Sequence, residues 1–61
     1  MTSLYIVYHT KDFYVGKVPT GYELYANGAT AATRIGRYGR ELKYLTRAIA
    51  DCDKRQADHD R

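Results

Sequence analysis

The chain has 61 residues, with ten Lys or Arg against seven Asp or Glu and a net charge of +3. A chain this short forms one domain with a thin core, and small domains usually rely on disulfides, a metal or a partner subunit. Its single cysteine, Cys52, excludes an internal disulfide. No stretch approaches the ~20 apolar residues of a membrane span, so we expect a cytoplasmic protein that does not bind membranes.

The chain carries no catalytic or metal-binding signature. His9 and His59 are far apart in sequence, and no Cys or acidic residue at ligand spacing joins them. Neither Ser3 nor Cys52 has a base nearby that could activate it as a nucleophile. We therefore expect no enzyme activity, no bound metal and no cofactor.

The N-terminal half predicts three short β-strands. Residues 3–10 and 13–18 are rich in β-branched and aromatic side chains, and a tight turn should join them. Pro19 and Gly21 end the second strand, because proline cannot donate to a ladder and glycine permits positive φ. Residues 22–26 predict a third strand, antiparallel to the second.

The C-terminal half predicts one long amphipathic helix. Asn27-Gly28 indicates a turn, and Thr30 is placed to cap a helix that runs from about residue 31 to residue 55. Six apolar positions alternate in steps of three and four, as one face of a helix requires: Ile35, Tyr38, Leu42, Leu45, Ile49 and Cys52. Residues 56–61 are charged without apolar partners and are expected to fray.

These elements predict an α+β fold for residues 1–55. A three-stranded antiparallel sheet (β-β-β-α) should carry the amphipathic C-terminal helix on one face. Because a helix of that length is longer than the strands, its C-terminal half should leave Leu45 and Ile49 exposed, together with Cys52. A second copy of the chain could bury these residues, which would make the protein a homodimer.

Strand alternation places three tyrosines, Tyr5, Tyr14 and Tyr25, on the sheet face that the helix leaves free. Tyrosine tolerates exposure and is common at protein interfaces. The first functional hypothesis is therefore a small non-enzymatic inhibitor or adaptor, as in the host-directed proteins of bacteriophages. Such a protein would dock on a larger cytoplasmic protein through this tyrosine-bearing face or through Leu45 and Ile49.

The alternative hypothesis is nucleic-acid binding. Residues 29–47 hold five basic side chains and a single acidic one, Glu41. On a helix these basic side chains share one face, which would attract a DNA or RNA backbone. A tyrosine on the same face could stack on nucleobases. The residues concerned are Arg34, Arg37, Arg40, Lys43, Tyr44 and Arg47.

The segment around Gly36 and Gly39 also resembles a known nucleic-acid-binding element. Ile35-Gly-Arg-Tyr-Gly-Arg-Glu-Leu-Lys-Tyr-Leu45 is similar to the signature loop of KH RNA-binding domains, in which Gly-x-x-Gly with basic residues clamps a nucleic-acid backbone and a helix follows. The resemblance implies a backbone-binding loop at residues 36–39. That family has a strand after this helix, whereas the tail from Asp51 carries no strand pattern.

Overall fold

The sheet has four antiparallel strands, and one helix packs on it. The computed structural model describes residues 4–61, so the predicted strand start at Ser3 lies outside the described residues. The elements are β1 (Tyr5–His9), β2 (Phe13–Val18), β3 (Gly21–Ala26), β4 (Thr33–Tyr38) and α1 (Leu42–His59), with the strands in the order β1-β2-β3-β4. The α+β class, the antiparallel sheet and the C-terminal helix are confirmed, whereas the prediction of three strands is wrong.

The first two turns lie where the sequence predicts them. Between β1 and β2, the Thr10 amide donates to the carbonyl of Phe13 at 2.8 Å. Between β2 and β3, Val18 pairs with Gly21 across a two-residue turn. Gly21 has φ of +147°, a conformation that side-chain-bearing residues rarely adopt, and this explains the glycine at that position.

The segment predicted as the start of the helix is instead the fourth strand. The helix begins at Leu42, and the residue before it, Glu41, is extended, so Thr30 caps nothing. Two glycines oppose a helix here, since each costs about 1 kcal/mol relative to alanine. Gly39 is needed for close packing, because a Cβ atom built on it would lie 2.7 Å from Cδ2 of Tyr44. The Gly-x-x-Gly segment thus lies largely in a strand rather than in a KH-type loop.

A bulge in β1 changes the faces that its side chains occupy. The register shifts between Ile6, which pairs with Gly16, and Tyr8, which pairs with Val15. One extra residue moves every preceding side chain to the opposite face. Ile6 therefore lies on the free face of the sheet, and Tyr5, opposite Lys17, lies on the helix side, the reverse of what uninterrupted alternation predicts.

The core lies between α1 and the strands β2 and β3. Its buried members are Phe13, Val15, Tyr22, Leu24, Ala48 and Cys52. Leu45 packs against this core and Ile49 is half-buried, so the apolar helix end expected to lie open is mostly covered. Leu42, by contrast, is 74% exposed at the helix start.

Hydrogen bonds at both sides of α1 fix it on the sheet. Tyr8 in β1 donates to Asp53 at 2.5 Å, and Tyr38 in β4 donates to Asp51 at 2.6 Å. Burial and this bond to Asp51 raise the pKa of Tyr38 to about 12, so the hydroxyl keeps its proton. The domain boundary expected at residue 55 falls inside the helix, which continues to His59.

Gln56, next after that boundary, is also tied to the sheet. Its side-chain oxygen accepts from the Asp12 amide at 2.7 Å, and its side-chain nitrogen donates to the Asp12 carboxylate at 2.9 Å. Among residues 4–61, no helix is long and apolar enough to cross a membrane.

Candidate functional site

The sheet surface opposite α1, which we call the outer face, brings tyrosines and arginines together. Two cross-strand rows define it. The first row is His9, Tyr14, Tyr25 and Arg34, and the second is Ile6, Gly16, Glu23 and Arg37. Within the described part of the chain no helix covers this face, because α1 lies on the other side of the sheet.

Two tyrosines stack at the centre of the outer face. The rings of Tyr14 and Tyr25 are nearly parallel, with centroids 5.0 Å apart and an interplanar angle of 12°. Cross-strand aromatic pairs of this kind stabilise a sheet and hold both rings in one orientation. One face of each ring is used in this contact, which leaves the other face, the edges and the hydroxyl ends to meet a ligand.

A buried carboxylate holds this pair and the neighbouring arginines in place. Glu23 is buried on the outer face, where it accepts a hydrogen bond from the Tyr25 hydroxyl. Arg34 lies 3.1 Å and Arg37 3.7 Å from the same carboxylate oxygen, Oε2. The bond from Tyr25 and the two arginines hold the pKa of Glu23 below its usual value, against the opposing effect of burial.

The carboxylate also affects its donor, since it raises the pKa of Tyr25 and keeps that hydroxyl protonated. Both arginine side chains remain more than half exposed, and two positive groups share one negative partner. The outer face therefore presents a rigid aromatic pair beside unused arginine donors.

A depression opens beside Tyr14. Its volume is about 450 Å³, and its lining includes Ile6, His9 and Tyr14 from the outer face. Thr10, Lys11 and Asn27 supply the polar side of its rim. Ile6 is 58% exposed and gives this part of the face an apolar floor. The depression could take an apolar side chain next to the tyrosine pair.

The predicted protein-interface residues do not form a single surface. Tyr14 and Tyr25 lie together on the outer face, as expected. Tyr5 lies on the helix side, where it lines a depression of about 210 Å³ with Val18 and Pro19. Leu45 packs against the core and Ile49 is half-buried on α1, so these two residues do not form an exposed seam.

The predicted basic face is divided between two places. Arg34 and Arg37 belong to the outer face, whereas Lys43, Tyr44 and Arg47 line a depression of about 250 Å³ on α1. The Lys43 ammonium lies 5.2 Å from the centroid of the Tyr44 ring and 3.4 Å from the Glu41 carboxylate.

Arg40, in the loop before α1, lines a different depression of about 190 Å³ with Lys17 and Tyr22. Because residues 33–38 form a strand, the basic side chains that were predicted to share one face of a helix do not do so.

Sequence reasoning missed the part that Glu23 plays. Strand alternation predicts that Glu23 lies on the free face. Nothing in the neighbouring sequence shows that two arginines would bury it, because those arginines come from a segment that was predicted to be helical. The one available signal was an acidic residue between two tyrosines in a strand, with arginines 11 and 14 residues later. Ile6 was missed because the bulge at Val7 could not be read from the sequence.

Two other features bear on chemistry. No group of three or more His, Cys, Asp or Glu side chains that could hold a metal ion occurs among residues 4–61. Cys52 is a buried core residue, and its burial raises the pKa of its thiol.

No protein-family model matches the chain, and no curated protein or solved structure is significantly similar to it.

Proposed function

We propose that the protein is a non-enzymatic interaction module that docks on a larger protein through the outer face, acting as an inhibitor or adaptor. The observation that carries this proposal is the stacked pair of Tyr14 and Tyr25 on an uncovered sheet, next to a depression with an apolar floor. Tyrosine is enriched at binding hot spots because it offers a large contact area with little conformational freedom to lose.

The orientation of the two rings favours a protein partner over nucleic acid. Single-stranded nucleic acids stack their bases on open aromatic faces. Tyr14 and Tyr25 turn a face toward each other, so each ring keeps at most one face on which a base could stack. A protein surface can instead pack against the ring edges and bond to the hydroxyl groups.

The outer face also indicates the chemistry of the partner. An aliphatic or aromatic side chain of the partner would fill the depression lined by Ile6 and Tyr14. A carboxylate beside it would meet Arg34 and Arg37, which among residues 4–61 share the single carboxylate of Glu23. The partner surface is therefore an apolar patch flanked by acidic groups.

Nucleic-acid binding is the second candidate, and one observation favours it. Lys43, Tyr44 and Arg47 line a common depression on α1, so two cations and one aromatic ring are close together on an exposed helix surface. Such a group could contact a phosphate backbone and one base. It lies apart from the arginines of the outer face, so the contact would be short.

The two candidates are separated by capture from a lysate of the source cells, with and without nuclease treatment. The matched variants are Tyr14→Ala on the outer face and Tyr5→Ala on the helix side, since the same side chain is removed from two surfaces. A third variant combines Lys43→Ala with Arg47→Ala. Circular dichroism should show that all three are folded.

We expect a protein that is captured in spite of nuclease, is lost with Tyr14→Ala and is retained with Tyr5→Ala and with the double variant. The purified partner should bind with a dissociation constant at least about tenfold weaker for Tyr14→Ala, the size of effect that a hot-spot aromatic produces. Capture that disappears on nuclease treatment and in the double variant would instead favour nucleic acid. Equal loss with Tyr5→Ala and Tyr14→Ala would contradict docking through the outer face.

A further inference from the structure

The strand β1 presents an uncovered apolar edge. It pairs with β2 on one side, and none of residues 4–61 pairs with its other side. Four consecutive large apolar residues are exposed here: Leu4 at 41%, Tyr5 at 68%, Ile6 at 58% and Val7 at 41%. Helix α1 packs over β2, β3 and β4, and from β1 only Tyr8 reaches it, through Asp53. From Leu4 to Val7, both faces of this segment are thus open to water.

The opposite edge of the sheet carries charged side chains, and β1 does not. Native proteins block edge strands with charged side chains or proline, because unpaired amide and carbonyl groups recruit another strand. β4 carries Arg34 and Arg37, whereas β1 from Tyr5 to His9 contains no Lys, Arg, Asp, Glu or Pro. The one interruption in β1 is the bulge at Val7.

We propose that two copies of this chain associate through antiparallel pairing of their β1 strands. The charges on the sheet edges select this arrangement. Pairing β4 with β4 would bring the arginines of two copies together, and pairing β1 with β4 would give a head-to-tail chain that does not close. Pairing β1 with β1 is self-complementary, neutral in charge and closed by a two-fold axis.

The paired strands make one eight-stranded sheet with β1 and its symmetry mate at the centre. A two-fold axis perpendicular to the sheet keeps both helices on one side and both outer faces on the other. The exposed side chains of Leu4, Tyr5, Ile6 and Val7 then pack against the same residues of the second copy. The inference rests on the free edge of β1 rather than on the tyrosine pair, shares Ile6 with the proposed docking site and does not depend on docking there.

The experiment measures mass by sedimentation equilibrium from micromolar to near-millimolar concentration. Three variants introduce one lysine each at exposed positions: Ile6→Lys on β1, Thr33→Lys on β4 and Leu42→Lys on α1. We expect a dimer for wild type, Thr33→Lys and Leu42→Lys. Ile6→Lys should raise the dimer dissociation constant at least about tenfold, because pairing would desolvate two like charges.

Hydrogen exchange of the wild-type chain gives a second readout that does not depend on any variant folding. In the dimer, the amides of Tyr5–His9 that point away from β2 should exchange more slowly as the protein concentration rises, while those of β4 should not change. A monomer at every concentration would overturn the proposal. So would a dimer that Leu42→Lys disrupts and Ile6→Lys does not, or concentration-dependent protection confined to β4 or α1.

Discussion

Two leucines, Leu24 in β3 and Leu42 at the start of α1, test the fold directly, because the same substitution should cost much stability at one and little at the other. Leu24 is 1% exposed, and Leu42 is 74% exposed. Replacing leucine by alanine removes about three methylene equivalents, worth about 0.8 kcal/mol each when fully buried. For Leu24 the loss of transfer free energy is thus about 2.4 kcal/mol, and the cavity that remains brings the cost into the range of about 2–5 kcal/mol.

For Leu42 only about a quarter of that transfer free energy is at stake, or about 0.6 kcal/mol. Alanine is as good a helix former as leucine, so no further cost arises at the helix start. A 61-residue domain has a free energy of unfolding of about 3–9 kcal/mol. Leu24→Ala should therefore remove most of the stability, whereas Leu42→Ala should hardly change it.

The assay is urea unfolding followed by circular dichroism, at one fixed protein concentration so that self-association contributes equally to each variant. The slope of free energy against urea should be unchanged in both variants. An equal loss for Leu42→Ala and Leu24→Ala would refute the reasoning. It would mean that Leu42 faces the core, as it does in a helix that begins near residue 31.

Gly21→Ala should cost about 1–3 kcal/mol of unfolding free energy, because alanine is strained at its positive φ and its Cβ atom would meet the Tyr38 carbonyl. Gly36→Ala, whose new Cβ atom would lie 3.3 Å from the Tyr38 ring and require it to shift by only a few tenths of an ångström, should stay within about 1 kcal/mol of wild type in the same assay. Because the folded-state pKa of Glu23 is lowered, its ionised form stabilises the fold above the ordinary value of 4.5, and this contribution is lost as the pH falls through the lowered value. The stability difference between wild type and Glu23→Gln should therefore be constant near neutral pH and shrink on acidification; a difference that grows in acid would contradict this. Tyr25→Phe removes the hydrogen bond that contributes most to this shift, so the Glu23 pKa followed by NMR should rise in Tyr25→Phe and stay unchanged in Tyr38→Phe.

The part of the fold that depends on local patterns could be predicted from the sequence. The turn at residues 10–12, the turn after Val18 and the inward positions of Val15 and Leu24 follow from turn chemistry and alternation. The prediction of a helix that begins near residue 31 is wrong for Ile35 and Tyr38, whose spacing continues the apolar pattern of the helix. Their true environment depends on pairing with β3, which is a non-local contact that a helical periodicity cannot reveal.

The candidate site was predictable to a smaller extent. Tyr14 and Tyr25 share a face because both strands alternate regularly between one turn and the next. Tyr5 lies beyond the bulge at Val7, and bulges carry no reliable sequence signal where no glycine marks them. Arg34 and Arg37 reached the site only because their segment is a strand, so the association of arginines with tyrosines required the tertiary structure.

The contact between the first turn and the end of the helix has a consequence for biosynthesis. Asp12 and Gln56 are 44 residues apart, and Tyr8 and Asp53 are 45 apart, yet both pairs are joined by hydrogen bonds. The hairpin of β1 and β2 leaves the ribosome before α1, so the groups that lock it against α1 are translated later. The hairpin must therefore wait, with its apolar strands exposed, until residue 56 has emerged. During that interval the nascent chain should be a substrate for chaperones that bind extended apolar segments.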